Sequence, residues 1–221
     1  MKHLKHMALG SAVALAGVAH AAIVVDDFND PSGGVTAMIT QPPGPTTVNL
    51  GPNTGADILG TRNITYSITT GGSSVDSLSV NVAPYGSYLV EAADNSGTPD
   101  VKLNYSGFNV SLTGNTLTLH NYGTDANGES VQAWFDTTGG TLSSGVVPVA
   151  GNHSGDLTLT LSNGVGDLSQ VTGIRVEIMG DPGADFSLHS ISVVPEPGAY
   201  GVLTALGLLG TVIWRRARAQ G

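Results

Sequence analysis

The chain has 221 residues, 17 acidic and 8 basic, with no cysteine, which excludes disulfides, cysteine-ligated zinc and a thiol nucleophile. Its charge is uneven: segment 22–195 holds three basic residues, Arg62, Lys102 and Arg175, against 16 acidic ones, a net charge of −13. Such a surface repels phosphate backbones, so nucleic acid is excluded as a partner, whereas solubility or attraction of divalent cations fits it.

At the N-terminus, Lys2 and Lys5 precede the apolar run 8–18, and Ala19-His20-Ala21 follows it. Small residues at Ala19 and Ala21 are what a signal peptidase reads, so 1–21 is expected to be a secretory signal peptide, helical and cut after Ala21. No arginine pair precedes the run, which points to the general secretory route. Next come Asp26, Asp27 and Asp30 within Asp26-Asp-Phe-Asn-Asp30. These oxygens are candidates for a structural calcium site, since calcium takes about six to eight oxygen ligands; the other reading is an acidic turn, because EF-hand spacing is missing. Segment 31–53, with Gln41-Pro-Pro-Gly-Pro-Thr46, reads as a long irregular loop.

From there the chain alternates apolar and small polar residues over 62–68, 77–82, 101–105, 115–120, 156–162, 173–178 and 185–193. That is the period of half-buried strands. Turn chemistry separates them, as in Asn127-Gly128, Gly139-Gly140, Asn163-Gly164 and Asp181-Pro-Gly183. Half-buried strands need a second sheet over their apolar faces, so 22–193 is expected to be one all-β domain, an antiparallel β-sandwich of jelly-roll-like type.

Signals for chemistry inside this domain are sparse. Asp125-Ala-Asn-Gly-Glu129 has the look of a calcium loop, but Asn127-Gly128 reads first as a hairpin turn. Trp134, the only tryptophan of the exported part, is a candidate ligand-binding residue: a sugar platform would use its ring, with Tyr85, Tyr88 or Tyr122. Burial in the core is the simpler reading, and Phe135 beside it leaves the face undecided. His120, His153 and His189 lack metal-ligand spacing, His120 and His189 reading as outward or partly exposed, and no G-x-S-x-G elbow occurs. No catalytic residue is assigned, and no cofactor beyond that calcium.

The C-terminus carries the strongest pattern. Val194-Pro195-Glu196-Pro197 is stiff and extended, because each proline fixes its own φ and biases the residue before it. The same stretch also suits a helix start. Residues 198–214 are uncharged and would span about 25 Å as a helix against a hydrocarbon core of about 30 Å. This is a marginal transmembrane helix. Tyr200 and Trp214 stand at its ends, and the basic tail 215–218 with Arg215, Arg216 and Arg218 marks the cytoplasmic side. The sandwich is then extracytoplasmic, tethered by one C-terminal span.

The order Pro195-Glu-Pro197, short apolar helix, arginine cluster over 194–221 resembles the PEP-CTERM sorting signal, the substrate tag of membrane enzymes called exosortases. The resemblance implies bacterial export, temporary inner-membrane anchoring and removal of the tail by an exosortase-type enzyme. Delivery to the cell surface or extracellular matrix follows, where exopolysaccharide is the partner it suggests. With no signal for catalysis among the residues, the expected role is non-catalytic, structural or polysaccharide-binding; a permanently anchored binding protein and a polysaccharide-acting enzyme are the alternatives. A second resemblance joins Asp26-Asp-Phe28 to Gly60-Thr-Arg-Asn63, similar to the opening of sandwich domains in many proteins with this tag, although Thr61 and Asn63 depart from the glycine and aspartate usual there. In such sandwiches the first and last strands lie near one another.

Overall fold

A computed structural model describes residues 22–29, 34–40, 46–52, 60–69, 75–81, 87–93, 97–112 and 114–194, all within one unit spanning Ala21–Glu196. The expected signal peptide with Ala19 and Ala21, Asp30, and the expected tag from Pro195 through Pro197, Tyr200, Trp214, Arg215, Arg216 and Arg218 lie outside these residues.

In chain order the strands are β1 (Ile23–Asp26), β2 (Val35–Thr40), β3 (Thr46–Pro52), β4 (Thr61–Ile68), β5 (Val75–Val80), β6 (Leu89–Ala92), β7 (Pro99–Val110) and β8 (Thr116–Thr124). They continue as β9 (Glu129–Thr137), β10 (Gly140–Ser143), β11 (Val147–Val149), β12 (Ser154–Thr160), β13 (Asn163–Gly164), β14 (Val171–Gly180), β15 (Phe186–Leu188) and β16 (Ser190–Val194). A 3-10 turn at Leu168–Gln170 precedes β14, and Asp167 caps it by accepting from the Ser169 amide.

The strands form two antiparallel sheets. In sheet I, β8 pairs with β12 on one edge and with β15 and β16 on the other; β6 and β1 flank those, and β5 and β2 complete the order. Sheet II runs β13, β10, β9, β14, β7, β4, β3, with β11 also paired to β9. The first and last strands pair directly, Ile23 opposite Val193.

All seven alternating segments of the sequence fall on strands, but β7 and β8 extend well beyond their segments and 185–193 divides into β15 and β16. Two readings are corrected. Segment 31–53 is not an irregular loop, for it contributes β2 and β3, the outermost strands of sheets I and II. Alternation is blurred in β2 because Met38, between buried Ala37 and Ile39, is 63% exposed. Nor is Asn127-Gly128 a hairpin turn: the chain there crosses from β8 of sheet I to β9 of sheet II. Asp125 shapes that crossing by accepting from the Asn127 amide at 2.9 Å. By contrast Gly139-Gly140 does close the β9–β10 hairpin, where Gly140 has φ +137°, a conformation that side chains disfavour.

Inward residues of both sheets form one core, including Ile64, Leu103, Phe135, Val176, Leu119 and Ile191. Three tyrosines carry hydrogen bonds through it from one sheet to the other. Tyr105 of β7 donates to Asp26 of β1 at 2.9 Å, Tyr66 of β4 donates to Glu91 of β6 at 2.9 Å, and Tyr122 of β8 donates to Glu129 of β9. Strand parity also turns Arg62 inward with Ile64, Tyr66 and Ile68. Its Nη1 meets both carboxylate oxygens of Asp26 at 2.8 Å. The Phe28 ring lies 5.8 Å from the guanidinium carbon, and the Phe28 amide donates to Asp26 at 2.8 Å. The two separated pieces of the second sequence resemblance therefore meet as one buried ion pair.

Burial raises the Glu91 carboxyl to about 9 and the Glu129 carboxyl to about 8, the tyrosine bonds only partly offsetting desolvation. Unfolded, each titrates near 4.5, so between that value and its folded one the native state binds the extra proton. Stability contributed by each group is then fully present below pH 4.5 and declines by about 1.4 kcal/mol per pH unit as pH rises toward the folded value. Thermal melts at fixed ionic strength are expected to show the melting temperature falling by about 10 °C or more from pH 5 to pH 9. Glu129→Gln should flatten part of that decline. A melting temperature that is level or rises over this range would show both groups ionised in the native protein.

Candidate functional site

Along β9, Val131, Ala133 and Phe135 are buried, whereas Gln132, Trp134 and Asp136 take the opposite face. Trp134 is thus not a core residue. Phe135 holds the core position, and the indole lies half-buried on the outer face of sheet II. Neither Tyr122 nor Tyr88 joins it. Tyr122 is buried with Glu129, Tyr88 packs on His189 with ring centroids 4.7 Å apart, and Tyr85 lies outside the described residues.

Register builds the site around Trp134. Arg175 of β14 pairs with Trp134 on one side and with Asn104 of β7 on the other, and Asn104 pairs with Asn63 of β4. Four adjacent strands thereby place Asn63, Asn104, Arg175 and Trp134 in a row, which at about 4.8 Å per strand runs across the sheet for about 14 Å. The neighbouring row is Thr65, Lys102, Glu177 and Gln132. Lys102, Asn104, Trp134, Arg175, Val176 and Glu177 line a shallow open depression.

Charges on this face are internally matched. The Arg175 guanidinium lies 5.0 Å from the Trp134 ring centroid and forks onto Asp136, Nε to Oδ2 and Nη2 to Oδ1 at 2.9 Å each. Thr141 donates to the same Asp136 Oδ1 at 3.0 Å. Lys102 Nζ lies 2.8 Å from Glu177 and 3.1 Å from Asp100, and these partners, Glu177 first, raise its pKa. The result is a ring held in place by a guanidinium, amid amide, ammonium and carboxylate groups that both donate and accept hydrogen bonds.

Other sequence candidates are committed elsewhere. Asp26 is filled by Arg62, Tyr105 and the Phe28 amide, so calcium there would compete with a buried guanidinium. Asp27 accepts from the Asn29 amide at 3.1 Å, as an acidic turn does. In 125–129, Asp125 and Asn127 bond to each other and Glu129 points inward to Tyr122. Among the described residues no group of three or more His, Asp or Glu is placed to hold a metal ion.

One arrangement had no sequence signal. On sheet I, Asp156 of β12 lies 2.9 Å from His120 Nδ1, and His120 Nε2 lies 2.7 Å from Ser192 Oγ of β16. The order matches a nucleophile with its base and orienting acid. Exposure is reversed, however: Ser192 is 2% exposed while the Asp156 side chain is 53% exposed. A nucleophile must be reached by substrate and its acid shielded, so these groups act as a cross-strand polar ladder.

No protein-family model and no curated protein matches the chain. Several solved structures are similar to parts of it. A family 11 carbohydrate-binding module of a Clostridium thermocellum cellulosomal cellulase is 10% identical, covering 79% of this chain and 95% of its own, with a TM-score of 0.36. A family 29 carbohydrate-binding module from Piromyces equi is 13% identical over 72% of this chain and 89% of its own, TM-score 0.34. PfGH50B is 10% identical with a TM-score of 0.40; it matches 60% of this chain, which spans only 23% of its length.

The sandwich itself rests on the strand pairing. Most of the Trp134 face was open to sequence reading in one respect, since Lys102, Asn104, Arg175 and Glu177 all sit at polar positions of alternating strands. What brought them together was register, which alternation does not encode.

Proposed function

We propose that this protein is an exported, non-catalytic bacterial envelope or matrix protein that binds polysaccharide on the outer face of sheet II. The observation that carries the reading is Trp134, half-exposed and braced by Arg175 within the row from Asn63. Sugar rings have an apolar face and a rim of hydroxyls. A flat aromatic covers the first, and groups that both donate and accept serve the second. The test is co-sedimentation of the full-length chain with exopolysaccharide purified from its host; recovery of the protein only in the supernatant would refute the reading.

Sorting is part of the proposal. The signal peptide over 1–21 and the Pro195-Glu-Pro197 tag with its marginal span support export, inner-membrane anchoring and exosortase-type processing. Mass spectrometry of the protein from envelope and medium should find a mature species ending near Pro195, absent in Glu196→Ala. An intact chain through Gly221 in the membrane fraction would instead mean a permanent anchor.

A further inference from the structure

Resting on that reading and narrowing it, we infer that the polysaccharide taken by the Trp134 face is uncharged, and that polyuronates and other polyanions are rejected. Of the three basic residues in segment 22–195, Arg62 is buried against Asp26. The other two, Lys102 and Arg175, both stand on the outer face of sheet II beside Trp134. Their position alone would suggest an anionic ligand, but each charge already has a carboxylate partner of its own. Arg175 is forked onto Asp136, and Lys102 sits between Asp100 and Glu177. Two cations thus face three carboxylates, on a segment of net charge −13.

A ligand carboxylate approaching Arg175 would have to displace Asp136, which Thr141 also holds, or lie against it as a like charge. Each further unit of a polyanion would meet Glu177 or Asp100 in the same way. Hydroxyls meet no such opposition. They donate to the outer lone pairs of Asp136 and Glu177 and accept from guanidinium N–H groups outside the fork. Asn63 and Asn104, opposite each other in register, each offer one donor group and one acceptor side by side. The face is chemically a diol reader with an aromatic floor.

Affinity electrophoresis of the full-length chain tests this, with hydroxyethyl cellulose, xyloglucan and galactomannan as neutral probes and polygalacturonate and alginate as anionic ones. Retardation by at least one neutral polymer is expected, changing less than about twofold up to about 0.5 M salt, where charges are screened beyond a few ångströms. Trp134→Ala should weaken it about thirtyfold or more. Asp136→Asn frees Arg175 from its fork, so this variant should gain retardation by polygalacturonate that salt abolishes. Binding of the unmodified chain to a polyuronate, lost in salt, would overturn the inference and leave polysaccharide binding standing. If Asp136→Asn gains no such binding, the matched-charge explanation fails. Retardation by no polymer, or retardation indifferent to Trp134→Ala, would remove the site itself.

Discussion

Arg62→Ala is expected to destabilise the sandwich by about 3–5 kcal/mol, the usual consequence of removing one partner of a buried ion pair. Total domain stabilities are about 5–15 kcal/mol, so the variant should unfold at much lower denaturant or fail to accumulate. The reason is specific to Asp26. Its carboxylate is buried between the sheets and takes both its guanidinium bonds from Arg62, with Tyr105 and the Phe28 amide adding one each. Without the cation, those neutral donors are left to stabilise a desolvated charge by themselves. The strain falls on β1, because Asp26 is the residue that ties this strand to sheet II. Replacing both partners, Arg62→Met with Asp26→Asn, should recover much of the loss, since no charge is left uncompensated and the Asn carbonyl still accepts from Tyr105 and the Phe28 amide. Urea unfolding of the unmodified chain and both variants measures this directly. A single-variant cost below about 1 kcal/mol, the range of a surface pair, would mean that water reaches Asp26.

The second large effect is on binding. Trp134→Ala is expected to leave stability within about 1 kcal/mol, because an outer-face side chain away from the core contributes little to folding. The same change should weaken polysaccharide binding by about 2 kcal/mol or more, the loss typical of a central aromatic anchor, or about thirtyfold in Kd. Trp134→Phe should fall between, keeping a flat apolar surface of smaller area. Phe135→Ala, one residue along the same strand, should do the reverse: about 3–5 kcal/mol of stability lost from a filled core position. Calorimetric titration paired with thermal melts separates the two outcomes. Equal destabilisation by the two alanine variants would place both rings in the core and refute the assignment of faces.

That contrast between neighbours shows how far the sequence alone reached. Alternation along β4, β7, β12 and β14 was legible in it, because a strand's side-chain period is local and depends only on which residues are apolar. Arg62 shares that parity with Ile64 and Tyr66, yet its inward position was found only with its buried partner Asp26. The −13 charge of segment 22–195, the lack of cysteine and the order of Pro195-Glu-Pro197, an uncharged run and an arginine cluster needed no structure. The outer strands β2 and β3 were missed because exposed Met38 disrupts the alternation of one and a proline-rich stretch lies between them.

Only the tertiary structure decided which residues meet. Asp26 and Arg62 are 36 positions apart, and Trp134 and Arg175 are partners solely because β9 pairs with β14 in one register. A shift of one residue would turn every side chain on the strand to the other face, so the packing of two apolar faces selects the register. Partner identity, and with it the row from Asn63 to Trp134, emerges from that selection. Sequence period states which way a side chain points; the closing of one sheet on the other determines what it finds there.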